Sequence, residues 1–139
     1  MATETEGREL DRETLRRGVG ALLEDPSHGF YCVAIRQGSV VGQLMVTFEW
    51  SDWRAGQFWW IQSVYVHPEH RRTGVYRALH EHVVGRARAQ GGVVGVRLYV
   101  ERENTRAQRT YEALGMKRAV YDMFEIDFSP LGGEHPRGE

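Results

Sequence analysis

Val64-Tyr65-Val66-His67-Pro68-Glu69-His70-Arg71-Arg72-Thr73-Gly74-Val75-Tyr76-Arg77-Ala78-Leu79 is the stretch that decides the fold. Phe58 to Val66 is mostly β-branched and aromatic, the composition of a buried strand. Pro68 donates no ladder hydrogen bond, so the strand should end near His67. From Val75 onward apolar residues recur at helical spacing, through Leu79 and Val83 to Ala87. A strand, a basic loop and a helix start therefore follow one another directly, with Gly74 at the last junction.

That junction suits an anion. The first turn of a helix leaves backbone N–H groups unpaired, and the helix dipole adds partial positive charge there. Gly74 lets a bulky anion approach the backbone. Arg71 and Arg72 supply fixed charge and planar donors matched to phosphate oxygens. Because several donors converge over a short loop, a pyrophosphate fits better than a single carboxylate.

Composition narrows the alternatives. A chain of 139 residues, 41% of them hydrophobic, is enough for one domain with a real core. A net charge of −1 gives no global basic field for nucleic acid or an anionic membrane. No apolar run is long enough to span a bilayer, and the start lacks a signal-peptide pattern, so a cytoplasmic location is expected. Cys32 is the only cysteine, which excludes an intrachain disulfide and a multi-cysteine zinc site. It sits in an apolar strand and reads as packed. His67, His70, His80 and His82 lie close in sequence without a ligand pattern, so no metal is expected. Gly-Lys-Ser/Thr, Gly-x-Gly-x-x-Gly and Gly-x-Ser-x-Gly are all absent, which argues against a P-loop, a dinucleotide fold and a serine hydrolase.

Along the chain, residues 1–10 are expected to be flexible, 11–128 to form one domain, and 129–139 to be a flexible tail. Asp11 caps a helix to about Leu23. Phe30 to Ile35 and Val40 to Trp50 form an antiparallel hairpin across Gln37-Gly38-Ser39. Ser51 to Gln57 is a loop, and the strand from Phe58 follows. The helix after the anion loop stops at Gly91-Gly92. Val93 to Val100 is a strand parallel to the previous one, because a helical crossover joins them. Asn104 to Leu114 is a helix ended by Gly115, and Lys117 to Phe128 reads as a last strand.

A second patterned stretch is Asn104-Thr105-Arg106-Ala107-Gln108-Arg109-Thr110-Tyr111-Glu112-Ala113-Leu114-Gly115-Met116. Asn104 stands at the N-cap, where its side chain can bond backbone or a ligand amide. Ala107 and Tyr111 are four apart, hence on one helix face.

Arg71-Arg72-Thr73-Gly74-Val75-Tyr76 resembles the acetyl-CoA pyrophosphate loop of the GNAT acetyltransferase superfamily, usually Gln/Arg-x-x-Gly-x-Gly/Ala. Arg71 and Gly74 match. Tyr76 stands where the family usually has Gly or Ala, so its side chain must point away from the phosphates. The stretch from Asn104 resembles the family's second segment. The resemblance covers roughly residues 8 to 128 and lacks the family's usual first strand and helix. Either the start is assigned late or the chain is short by nature; the second case exposes an edge strand that a partner subunit can cover.

The resemblance implies an α/β (α+β) fold. Its central sheet is mixed and mostly antiparallel, with one splayed parallel pair and helices on both faces. It implies acetyl-CoA as co-substrate, held by residues 71–76 and Asn104. Backbone groups of Val64 and Val66 would pair with pantetheine as an added strand would. It gives Tyr111 the role of proton donor to the departing thiolate, whose conjugate thiol has a pKa of about 8.5 against about 10 for a phenol. For the base that frees the acceptor amine, the residues offer Glu49 or Asp52. A carboxylate among Trp50, Trp53, Trp59 and Trp60 would be desolvated and its pKa raised. The expected partners are a small-molecule or peptide amine and, across an exposed edge, a second copy in a homodimer. A silent acyl-CoA-binding module is the alternative to an enzyme.

Overall fold

The computed structural model describes residues 11–129. The flexible segment expected at 1–10 lies outside them, as does all of the tail after Ser129. The elements are α1 (Arg12–Glu24), β1 (Gly29–Arg36), β2 (Ser39–Ser51), β3 (Gly56–Val66), a 3-10 turn (Pro68–His70), α2 (Val75–Ala89), β4 (Val93–Arg97) and α3 (Thr105–Ala113). They fall into two compact units, one ending at Thr105 and the other beginning at Arg106. No helix among the described residues is long and apolar enough to cross a membrane.

The first unit is built on a four-stranded mixed sheet in the order β1-β2-β3-β4. β1–β2 and β2–β3 are antiparallel, and β3–β4 is parallel. The β1–β2 hairpin turns through Gln37 and Gly38, both with positive φ, which matches the twist of paired strands. The caps fall where the residues dictate. Asp11 accepts from the Thr14 amide at the start of α1. α2 ends at Ala89, with Gln90 as its C-cap just before Gly91-Gly92.

One sheet face carries the core. Leu44, Val46, Trp59 and Ile61 pack with Val75, Leu79, Val83 and Ala87 of α2. Phe30 and Phe48 close around Trp59, with ring centroids 5.1 and 6.1 Å from it. The Arg86 guanidinium lies 4.6 Å from the Phe30 ring centroid and caps this cluster. Cys32 is buried, and burial pushes its thiol pKa up while Arg86 opposes the shift. It is packed, as its strand context suggested.

His80 is the buried polar residue of α2, at 3% exposure. The Tyr76 hydroxyl lies 3.3 Å from its Nδ1. Burial lowers its pKa, against the opposing pull of Glu81. Below the unfolded value of about 6.5 the unfolded chain binds a proton that the folded chain resists. Stability is therefore full above that pH and is lost as pH falls below it. The melting temperature should drop on acidification below about pH 6.5, and His80→Gln should flatten that drop.

The last strand expected from the sequence falls in the second unit. Lys117 to Phe128 joins no ladder within that unit, although its composition suits a strand. A strand needs a neighbour as well as a composition, and the described part of that unit holds no second strand. β4 itself ends at Arg97, short of the expected Val100.

Candidate functional site

The parallel strands part company early. β3 and β4 pair from Gln57↔Val93 to Trp60↔Arg97 and no further. β3 runs on to Val66 and stays paired with β2 as far as Gly42↔Val66. Its β4-facing side beyond Trp60 thus has no ladder partner among the described residues. An extra residue in β3, between Gln62 and Tyr65, breaks the register with β2, and Ser63 there has φ 53°. Such a bulge bends and twists the strand. An ordinary, fully paired β3 is ruled out for these residues.

The alternation of the ladder decides which groups face the opening. His67 N–H bonds the Val41 carbonyl, so the groups of Val66 turn away from β2. Val64, one step beyond Tyr65, turns the same way. The expectation needs one correction here. The Val66 carbonyl already accepts Arg71 Nε at 2.8 Å. Val66 therefore offers its N–H to the opening, while its carbonyl anchors the loop.

The loop is braced from a residue that sequence reasoning missed. Arg36, at the end of β1, donates to the Thr73 hydroxyl at 3.0 Å and to the Thr73 carbonyl at 3.2 Å, and lies 3.2 Å from His70 Nδ1. The Thr73 hydroxyl in turn donates to the His70 carbonyl. Both roles of that hydroxyl are used in holding the loop, so Thr73 offers an incoming anion its backbone. No local pattern marks Arg36, which is 37 residues away from Thr73; only the hairpin register brings it there.

Gly74 takes φ 89° at the N-cap of α2, a conformation that side chains resist. The first helical bond runs from Ala78 N–H to the Gly74 carbonyl, so the amide of Val75 points out of the helix end. Arg72 is exposed with φ 63° and has no acidic partner among the described residues. The Arg71 guanidinium lies 5.6 Å from the Tyr65 ring centroid. Tyr76 packs its ring against the core and aims its hydroxyl at His80. Its bulk points away from the loop, as its position required. Arg71, Arg72 and the start of α2 thus lie together in one short basic stretch of chain.

On the sheet face opposite the core, Glu49 Oε1 accepts Trp60 Nε1 at 2.7 Å and Arg97 Nη1 at 3.1 Å. Trp60 and Arg97 are the last rung before the strands part. The Arg97 guanidinium sits 3.6 Å over the Phe58 ring, and Trp60 meets Tyr99 edge to face at 5.6 Å. Oε2 of Glu49 has no partner among the described residues. The expected cage of four tryptophans does not form around this carboxylate. Trp59 faces the core, while Trp50 and Trp53 are 64% and 87% exposed. Alternation along β3 sends Trp59 and Trp60 to opposite faces. Glu49 is half exposed and ion-paired, so its setting is a salt bridge and an indole, not an apolar pocket. Asp52 accepts the Trp53 amide and holds the β2–β3 turn.

In the second unit, α3 ends in paired bonds from Gly115 N–H to the Glu112 carbonyl and from Met116 N–H to the Tyr111 carbonyl. Asn104, near the end of the first unit, precedes the helix, its amide bonded to the Glu101 carbonyl. Tyr111 is partly buried in α3, and burial raises its pKa. Among the described residues no three His, Cys, Asp or Glu side chains gather as a metal site.

Comparison with known proteins adds to this geometry. The model of the Acetyltransferase (GNAT) family matches residues 2–116. The mycothiol acetyltransferase of Thermobispora bispora is 37% identical over 117 residues, which is 80% of this chain and 37% of that protein. The chain thus spans little more than a third of the length of that relative. The crystal structure described as a possible acetyltransferase from Clostridium difficile 630 is 48% identical, with a TM-score of 0.86 over 92% of this chain and 84% of that one. A ribosomal-protein-alanine N-acetyltransferase from Brucella melitensis biovar Abortus 2308 shares the fold, at 20% identity and a TM-score of 0.69 over 81% and 79% of the two chains.

Proposed function

The chain belongs to the GNAT family of acetyltransferases, and we propose that it moves an acetyl group from acetyl-CoA to a primary amine of a small molecule or peptide. Members of the family generally use acetyl-CoA. The observation that carries the reading is the parting of β3 and β4 after Trp60–Arg97, beside a basic loop that runs into a helix start. In this reading Arg71, Arg72, the backbone of Thr73 and Gly74, and the amides of Val75 and Tyr76 hold the pyrophosphate. The Val64 groups and the Val66 N–H pair with pantetheine amides. Asn104 is assigned a ligand amide.

The reaction is direct attack. The neutral amine forms a bond to the thioester carbonyl carbon, and the carbon–sulfur bond breaks. The amine proton passes to Glu49, whose Oε2 is the open lone pair while Trp60 and Arg97 hold Oε1. The departing thiolate takes the Tyr111 proton. Cys32 takes no part, because it is buried in the core with a raised pKa.

Two predictions bear on the assignments. Arg36→Ala should weaken acetyl-CoA binding about tenfold with kcat little changed, because it releases the loop without touching the acyl group. Glu49→Gln should lower kcat by roughly 10²-fold with acetyl-CoA affinity retained. Calorimetry for binding and thiol release over a panel of amines measure both. Binding of acetyl-CoA without thiol release from any amine would favour a silent acyl-CoA-binding module.

A further inference from the structure

We propose, resting on the acetyl-transfer reading above, that Gln62 is a specificity-determining residue: held by Thr47, it takes one N–H of the acceptor and so restricts the reaction to primary amines. Gln62 is half-buried and follows Trp60 on the sheet face opposite the core, because Trp59 and Ile61 turn inward. Trp60 is the last β3 residue but one before it to face that way, and the last to pair with β4, so Gln62 is the first side chain of that face beside the opening. Its Nε2 donates to the Thr47 hydroxyl at 2.6 Å. Thr47 shares the face, since Val46 and Phe48 pack into the core. With the nitrogen anchored, the amide is oriented, and its Oε1 has no partner among the described residues.

The β2–β3 register brings this oxygen beside the proposed base. Thr47 faces Trp60 across the ladder, with Glu49↔Phe58 on one side of that rung and Met45↔Gln62 on the other. Two diagonal hydrogen bonds close on the rung, Trp60 Nε1 to Glu49 Oε1 at 2.7 Å and Gln62 Nε2 to Thr47. Facing side chains on one rung start about 5 Å apart. Glu49 Oε2 and Gln62 Oε1 are therefore two open acceptors flanking one rung. The bulge follows at once, with an extra β3 residue between Gln62 and Tyr65 and Ser63 at φ 53°. A non-glycine residue held there is strained, and bulges next to a site re-aim a side chain.

Two acceptors match the two hydrogens of a neutral primary amine. As its nitrogen bonds to the thioester carbonyl carbon and the thiolate leaves, one proton passes to Glu49 Oε2. The other hydrogen stays on the product amide, and Gln62 Oε1 holds it throughout. A secondary amine has a single N–H, which Glu49 must take, so Gln62 Oε1 is left unpaired against the second substituent. An oxyanion does not suit Gln62, because the group it presents is itself an acceptor.

Thiol release with the fastest primary amine of the panel and with its N-methyl derivative tests this. The native chain should favour the primary amine by roughly a hundredfold or more in kcat/KM. Gln62→Leu should lower kcat/KM for the primary amine by about tenfold to a hundredfold and for the N-methyl derivative by less than about threefold, with acetyl-CoA affinity unchanged by calorimetry. Because that variant can fail to fold, Thr47 supplies a second pair. Thr47→Val frees the amide to turn and should lose most of the preference, and Thr47→Ser should restore it. Equal losses for the two amines, a folded Gln62→Leu or Thr47→Val that keeps the native preference, or a native chain that acetylates both amines alike would overturn the proposal and leave acetyl transfer standing. A native chain that binds acetyl-CoA but releases thiol with no amine would overturn the acetyl-transfer reading, and this proposal with it.

Discussion

Replacing Tyr111 with phenylalanine is expected to lower kcat roughly 10²- to 10³-fold while leaving acetyl-CoA affinity within about a factor of two. The reason is the leaving group. A coenzyme thiolate is a better leaving group when it is protonated or hydrogen-bonded as it departs, and phenylalanine keeps the bulk of the ring without the proton. Burial raises the Tyr111 pKa, so the hydroxyl is neutral and able to donate throughout the physiological range. The sign is testable. A donor must be protonated, so its loss would lower the rate as pH rises through its pKa. With that pKa raised above about 10, Tyr111 should impose no falling limb on kcat between about pH 6 and 9. Pre-steady-state thiol release with the native protein and Tyr111→Phe separates this chemical step from binding. A variant that keeps native kcat would assign Tyr111 to packing alone.

Gly74→Val should weaken acetyl-CoA binding by about tenfold to a hundredfold, the second large effect. No heavy atom lies within 4 Å of the position a Cβ would take, so the cost is one of backbone conformation and not of collision. A β-branched residue held at φ 89° is strained by about 1–3 kcal/mol. The chain relieves that strain by moving the residue out of the left-handed region. The Val75 amide then turns away from the loop, and the N-cap of α2 is lost. Melting temperature and affinity should fall together in Gly74→Val. Arg72→Gly should separate them, because it relieves positive φ at the next strained position while removing a cation.

The reach of the sequence can be judged from individual residues. The strand–loop–helix junction was legible because Pro68, Gly74 and the Val75–Leu79–Val83 spacing each fix local geometry on their own. The parallel crossover followed from the helix between two strands. The orientation of Tyr76 followed from the family resemblance, since a bulky side chain at that position of the loop must point away from the phosphates. What escaped depended on partners distant in sequence. Arg36 braces Thr73 only because the β1–β2 hairpin ends beside the loop. Glu49 meets Arg97 across the intervening strand β3, a contact set by the register of two strand pairs. The tryptophans suggested an apolar cage because they are close in sequence, yet neighbours on a strand face opposite ways. Lys117 to Phe128 has a strand's composition, but pairing requires a neighbour that composition does not reveal.

The most direct test of the central claim is a calorimetric titration of acetyl-CoA into the purified chain, repeated with Gly74→Val. Saturable binding at one site per chain, weakened at least about tenfold in the variant, is the predicted result. A folded native chain that takes up no acetyl-CoA, or a folded variant that binds it as tightly as the native protein, would contradict the reading of the loop and the opened strand as an acetyl-CoA site.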